Sequence, residues 1–293
     1  MRNNIELIGQ TLSIVLPAKN ESEALAKLLP VLKHQYTNAE IIVVDDGSDD
    51  NTTDLCRSHD VTVVSLPYSM GNGAAIKRGA RAAKGKIVVF MDADGQHQPQ
   101  DIDHLLEKIA EGYDMAVGAR NSNSQAGLHR AVANRFYNRL ATWMVGRTIQ
   151  DLTSGFRAVR AEKFRKFLYL LPNGFSYPTT ITMSFFRAGY SVAYVPITAA
   201  KRTGRSHVRL IRDGLRFLLI IFKIGTLYSP LKLFLPVSLL FFLTGLSYYL
   251  YTYITEHRFT NMSALLLITS VLIFLIGLVS EQITSLNYRN SED

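Results

Sequence analysis

The stretch IVVFMDADGQH, residues 87–97, decides how the chain is read. Five apolar residues, three of them β-branched, run without a polar break, as expected of a strand buried on both faces of a parallel sheet. The run ends abruptly in Asp92-Ala93-Asp94-Gly95-Gln96-His97. Working outward, similar runs lie at 12–16, 41–44 and 61–65 before it and at 115–117 after it. Helical patterns at 21–34, 52–59, 72–83 and 99–110 separate them. Strands spaced by helices predict a doubly wound, mostly parallel α/β sheet, which binds ligands beyond the carboxyl ends of its strands. Polar residues gather at those ends: Pro17-Ala18-Lys19-Asn20-Glu21 after the first strand, Asp45-Asp46-Gly47-Ser48-Asp49 after the second. Farther on, the spacing predicts a helix over 128–145, a loop at 151–155, helices near 161–170 and 177–188, and a strand at 191–195.

Two carboxylates at i and i+2 at a strand mouth can reach one hard divalent cation, Mg²⁺ or Mn²⁺, and Gln96 can add a third oxygen. Such an ion neutralises a diphosphate and makes it a better leaving group. Asp46 suits a ribose hydroxyl or a base edge; the alternative is a capping turn in which Ser48 or Asp49 starts the next helix. Gly71-Asn72-Gly73 opens the helix that carries Lys77, and bare amides at a helix start suit a phosphate.

Composition explains where such a protein works. Hydrophobic residues make up 47% and charged residues 19%, but the last quarter holds two long apolar runs, 233–254 and 262–280. At about 1.5 Å per residue each is long enough to cross a hydrocarbon core of roughly 30 Å. Tyr248, Tyr249, Tyr251 and Tyr253 crowd the end of the first run, where an aromatic belt sits, and a short link around 256–258 makes the pair a hairpin. Just upstream, Arg209, Arg212, Arg216 and Lys223 share a sector about 60° wide on a helix over 208–224. That is the pattern of a helix lying at a bilayer surface. The cation excess before the first span predicts a cytoplasmic large domain and cytoplasmic termini. The first 20 residues lack an apolar core followed by a cleavage site, so no signal peptide is expected. Net charge is +8, which fits anionic lipid or phosphate-bearing substrates. Nucleic acid is disfavoured, because the cations flank the spans with no interleaved aromatics. A single cysteine, Cys56, excludes an intramolecular disulfide.

Taken together and in order, LPAKNE, VVDDGSDD, GNGAAIKRG and VVFMDADGQHQPQD resemble the inverting family 2 glycosyltransferases with the GT-A fold. VGAR at 117–120, DLTSGFRA at 151–158 and RTGRSHVRL at 202–210 narrow the likeness to the dolichyl-phosphate mannose synthase and undecaprenyl-phosphate glucosyltransferase branch. The resemblance implies a nucleotide-diphosphate sugar as donor and a polyprenyl phosphate as acceptor. It implies Asp92, Asp94 and Gln96 around the metal and diphosphate, and Pro17, Asn20, Glu21, Asp46 and Lys77 around the rest of the donor. Arg120, Arg135, Arg157, Arg205, Ser206 and Arg209 would meet the acceptor phosphate, and Asp151 would lie near the sugar. Asp94, Asp151 and Arg157 are the residues expected to carry the reaction. Ser206-His207 departs from the Ser-Lys of relatives. The expected organisation is a catalytic domain over 1–205, an amphipathic interfacial helix over 206–230 and a transmembrane hairpin with its tail over 231–293. A glycosyltransferase acting on the hydroxyl of another membrane lipid, with Asp151 as base, and a non-catalytic membrane-tethered nucleotide-sugar binder are the competing readings. The sugar, the base and whether the chain forms a homo-oligomer are left open.

Overall fold

The computed structural model describes residues 11–120, 128–174, 176–198, 222, 225–226 and 228–289. The chain divides into two compact units, Met1–Val208 and Arg209–Asp293.

In the first unit the apolar runs form strands β1 (Leu12–Ala18), β2 (Glu40–Asp45), β3 (Thr62–Ser65), β4 (Ile87–Phe90) and β5 (Met115–Arg120). Helices α1 (Ser22–Gln35), α2 (Thr52–Ser58), α3 (Asn72–Ala82) and α4 (Asp101–Ala110) alternate with them. Each helix buries one stripe: Leu25, Leu28, Leu29 and Leu32 on α1, Ile102, Leu105, Leu106 and Ile109 on α4. Helix α3 buries mostly small residues instead, Gly73, Ala74, Ala75, Gly79 and Ala80 beside Ile76. A Cβ on Gly79 would come within 2.2 Å of Val15 Cγ1, so glycine lets this helix lie directly on β1. Beyond β5 come α5 (Leu128–Val145), β6 (Arg157–Arg160), α6 (Ala161–Arg165), α7 (Tyr177–Arg187) and β7 (Val192–Ile197).

The sheet runs β3-β2-β1-β4-β6-β5-β7. Strand β6, which the spacing did not mark as a strand, is antiparallel to both neighbours; the remaining pairs are parallel. Its register sets Arg157 opposite Phe90 on one side and Val117 on the other. The start of a reversed strand thus lies where its neighbours end, and residues 151–156 arrive at the carboxyl edge beside Asp92 and Arg120. The helix expected near 161–170 stops at Arg165, because the following amides of Phe167, Leu168 and Leu170 each bond three residues back, in tight turns.

The second unit holds α8 (Pro230–Glu256) and α9 (Asn261–Arg289), two helices long and apolar enough to cross a membrane. His257, at φ 51°, ends α8, and Thr260 Oγ1 accepts the Ser263 amide at 3.3 Å to start α9. Small residues recur every seven positions along the contact: Ser238, Gly245 and Thr252 on α8, Ser263, Ser270, Gly277 and Thr284 on α9, all buried. Ser238 Oγ donates to the Ser270 carbonyl at 2.9 Å. With no hydrophobic drive between helices in lipid, such close approach is what holds a hairpin together. The interfacial helix expected over 208–224 lies outside the described residues apart from Phe222.

A Cβ on Gly277 would already sit 2.8 Å from Phe234 Cβ. Gly277→Leu is therefore expected to destabilise the hairpin by about 1–3 kcal/mol through overpacking, while Leu272→Ala, at a lipid-facing position 54% exposed, leaves it unchanged. Thermal melting of the purified protein in detergent compares the two; equal melting temperatures would contradict this packing.

Candidate active site

At the carboxyl edge of β1 and β2 the turns are tied to one another. The Asn20 amide donates to Ser48 Oγ at 2.9 Å, and Asn20 Oδ1 accepts the Asp49 amide at 2.8 Å. Asn20 adopts φ 56°, a left-handed conformation that asparagine tolerates. Glu21 and Ser22 donate their amides to Thr52 Oγ1 and Asp50 Oδ2, both at 3.3 Å. Asp50, rather than Ser48 or Asp49, takes the first amide of α2, accepting from Thr52 at 3.1 Å. Pro17 lies within β1, paired with Val44.

The two buried carboxylates at the end of β2 are saturated by neighbouring loops. Asp45 accepts from the Ser48 amide at 2.9 Å and from Thr53 Oγ1. Asp46 accepts from Ser69 Oγ at 2.8 Å, the Met70 amide at 2.6 Å and the Gly71 amide at 3.0 Å. Asp46 therefore pins the turn after β3. The amides at the start of α3, read from sequence as a phosphate cradle, are covered instead: Ala74 donates to the Asn173 carbonyl at 3.1 Å, and a Cβ on Gly73 would meet the Pro172 carbonyl at 2.1 Å. Lys77 reaches the same turn, through the Leu171 carbonyl at 3.1 Å and Asn173 Oδ1.

Beyond β4 the carboxylates are differently placed. Asp92 is 36% exposed at the side chain, and Asp94 is half-buried, with Oδ1 oriented by the Gln96 amide at 3.1 Å. No group of three His, Cys, Asp or Glu side chains among the described residues is placed to hold a metal ion by itself. Two half-exposed carboxylates and an amide oxygen nevertheless fit Mg²⁺ or Mn²⁺, which are commonly held by one or two carboxylates with substrate phosphates completing the shell. His97, which the sequence reading passed over, lies buried under this turn. It stacks on Phe156 at 4.8 Å with its Nε2 3.9 Å from Asp92 Oδ2. Burial pushes its pKa below the ordinary range despite the nearby Asp94 charge, so at pH 7 the contact joins a neutral ring to a carboxylate.

The third group stands at the end of β5. Arg120 forks onto Asp151, Nε to Oδ2 at 2.8 Å and Nη2 to Oδ1 at 3.1 Å, and Nη2 also reaches Thr153 Oγ1 at 2.7 Å. The backbone amides of Arg120 and Thr153 add bonds to Asp151 at 3.3 and 3.0 Å. From α5, Asn138 clips the loop from outside: its Nδ2 donates to the Gln150 carbonyl at 2.6 Å, and its Oδ1 accepts the Leu152 amide at 3.1 Å. Arg157 belongs elsewhere. It is 0% exposed, and its guanidinium donates to the carbonyls of Ser154 and Pro178 and to Thr182 Oγ1. Arg135 is exposed on α5 and is not drawn into this group. Arg205, Ser206 and Arg209 lie outside the described residues.

A mixed sheet with a carboxylate pair at the mouth of its central strand has the layout of the GT-A fold. The fold resembles that of glucosyl-3-phosphoglycerate synthase from Mycobacterium tuberculosis, with TM-score 0.61 and 23% identity over 75% of this chain and 83% of that one. The chain belongs to glycosyl transferase family 2, matched over residues 13–168, and residues 229–286 match the GtrB C-terminal hairpin. Among relatives, a glycosyltransferase (AglJ) of Haloferax volcanii is 27% identical over 94% of both chains. Polyprenol monophosphomannose synthase of Mycolicibacterium smegmatis is 30% identical over 64% of this chain and 77% of its own length. An undecaprenyl-phosphate 4-deoxy-4-formamido-L-arabinose transferase of Proteus mirabilis is 34% identical over 50% of this chain and 48% of its own.

Burial pushes the Asp151 pKa up, but the hydrogen bonds and charge of Arg120 outweigh it and hold the group below its ordinary value. With a depressed folded-state pKa, the pair's contribution is full above the unfolded value of about 3.9 and is lost as pH falls through the lower folded value. Asp151→Asn leaves Arg120 without its partner and is expected to cost about 3–5 kcal/mol at pH 7. Its denaturation profile should also be flatter than wild type below about pH 4. Denaturant melts across that range check this, and an identical acid dependence would contradict it.

Proposed function

We propose that this glycosyltransferase moves a hexose from a nucleotide-diphosphate sugar to a polyprenyl phosphate, with inversion, at the cytoplasmic membrane face. The observation that carries the proposal is the saturated Asp151. An acceptor hydroxyl needs a base, and Asp151, the candidate base, has both oxygens filled by Arg120 and Thr153 and its proton affinity lowered. A phosphate monoester needs none. With a second pKa near 6 it is mostly dianionic at pH 7 and already nucleophilic. What it needs is a cation, and Arg120 stands beside the carboxylate pair, 29% exposed at the side chain. The names of two relatives, a polyprenol monophosphomannose synthase and an undecaprenyl-phosphate transferase, support the same acceptor class.

The donor lies across the ends of β1, β2 and β4. Pro17, Asn20 and Glu21 line the nucleoside side, and Asp46 shapes it by pinning the turn after β3. Asp92, Asp94 and Gln96 hold Mg²⁺ or Mn²⁺, which when bound neutralises the diphosphate as a leaving group. Structural neighbours crystallised with Mn²⁺ and UDP-glucose support that choice. Arg120, kept in place by Asp151, takes the acceptor phosphate and turns one oxygen toward the anomeric carbon. That oxygen forms the new C–O bond as the bond to the diphosphate breaks on the opposite face, so the anomeric centre inverts. Catalysis here is largely positioning and electrostatics.

Arg120→Lys keeps a charge but loses the fork. It is expected to cost about 2–4 kcal/mol in kcat/KM for the lipid acceptor, with calorimetric donor binding nearly unchanged. Asp94→Ala or excess EDTA should abolish turnover in a folded protein. Loss of donor binding in Arg120→Lys, or full activity in EDTA, would sink these assignments.

For topology, tags at Met1 and Asp293 should be reachable from the cytoplasm and a tag near Glu256 from outside. Termini found on opposite sides would rule out the hairpin in a membrane.

A further inference from the structure

Arg157 is unusual for a buried arginine. Among the described residues no carboxylate lies within 4.0 Å of its guanidinium, and its Nε has no hydrogen-bond partner. It spends its bonds on neutral acceptors: Pro178 O at 3.2 Å, Thr182 Oγ1 at 3.2 Å, Ser154 O and Met115 Sδ at 3.7 Å. The Tyr177 ring lies 5.8 Å from its Cζ, and the Tyr177 hydroxyl donates to the Gly155 carbonyl at 3.2 Å. The carbonyls of two successive loop residues, 154 and 155, are thus held by two buried side chains. Burying a cation without a counter-ion is expensive, and a neutral residue could fill the same space at less cost.

What that turn touches gives the cost a purpose. A Cβ on Gly155 would stand 3.3 Å from Asp92 Oδ2, 3.5 Å from Asp92 Oδ1 and 3.2 Å from the Tyr177 hydroxyl. The turn is therefore a wall against the carboxylate assigned to the metal. Its other end, Asp151, is locked to Arg120. Five residues connect the two halves of the site, and both ends are tied down.

We infer that Arg157 is a positioning residue: with Tyr177 it presses the 154–155 turn against Asp92, so that the metal-binding carboxylate and the Arg120–Asp151 pair keep one register. This rests on the reading of Asp92 and Asp94 as metal ligands.

The test is Mn²⁺ binding to the full-length protein in detergent, followed by the electron paramagnetic resonance of the free ion. Asp94→Ala is the control. Arg157→Met removes the charge and the forked donors; Gly155→Ala pushes a methyl group at Asp92; Tyr177→Phe removes one hydroxyl. Partners that orient a metal ligand typically contribute about 10-fold to 100-fold in metal affinity. A loss of that size is expected for Arg157→Met and Gly155→Ala, a smaller loss for Tyr177→Phe, and partial rescue for Arg157→Lys. Circular dichroism confirms which variants fold, and if Arg157→Met does not, Gly155→Ala and Tyr177→Phe decide. Folded variants that bind Mn²⁺ as wild type does, while Asp94→Ala does not, would overturn the positioning role alone. Wild type and Asp94→Ala binding alike would overturn the metal reading and this inference with it.

Discussion

Strand β6 runs against its two neighbours, and the site follows from that reversal. Parallel strands deliver only the loops after them to the carboxyl edge of a sheet. A single antiparallel strand between β4 and β5 delivers the loop before it, with Arg157 in register with Phe90 and Val117. Residues 151–156 then have no choice of neighbours. Phe156 lies under His97, Gly155 against Asp92, and Asp151 in the fork of Arg120. The 151–156 turn meets the carboxylates after β4 because one short strand is turned round.

Carboxylates crowd this edge, and burial sorts them. Asp45, Asp46 and Asp151 are nearly inaccessible, and each receives several donors from its own or a neighbouring loop. They hold the frame. Asp92 and Asp94 keep more exposure, and theirs are the oxygens placed to meet a cation. The cations divide in the same way. Arg157 is sealed behind the edge, whereas Arg120 is partly exposed at it. In the proposed reaction a nucleotide diphosphate and a lipid phosphate can approach each other only if each has its own positive partner.

Much of this was legible in the residues, and the failures have physical causes. Six of the seven strands were visible, β1 to β5 as apolar runs and β7 from the stretch at 191–195, and α5 was bounded at Leu128–Val145 as expected. Strand β6 was not, since Arg157-Ala158-Val159-Arg160 offers two apolar residues between two arginines. Asp46 read as a ligand because its donors, at 69–71, lie more than 20 positions away and nothing local announces them. Arg157 is assigned to a phosphate by the resemblance alone, although its neighbours Phe156, Ala158 and Val159, all fully buried, were a signal that it faces inward. His97 could have been found from its place in the turn that carries Asp92 and Asp94. The seven-residue repeat of small residues in the hairpin was also open to reading, behind a hydropathy pattern that drew attention first.

The proposed reaction depends most on the acceptor being a phosphate that arrives already ionised. The direct measurement supplies purified protein in detergent with Mn²⁺, a panel of labelled nucleotide-sugars, and two acceptors that differ only in the phosphate: a polyprenyl phosphate and the corresponding free polyprenol. Label should pass to the phosphorylated lipid alone, giving a product that mild acid cleaves at the sugar–phosphate bond. Transfer to the free alcohol at a comparable rate would contradict it.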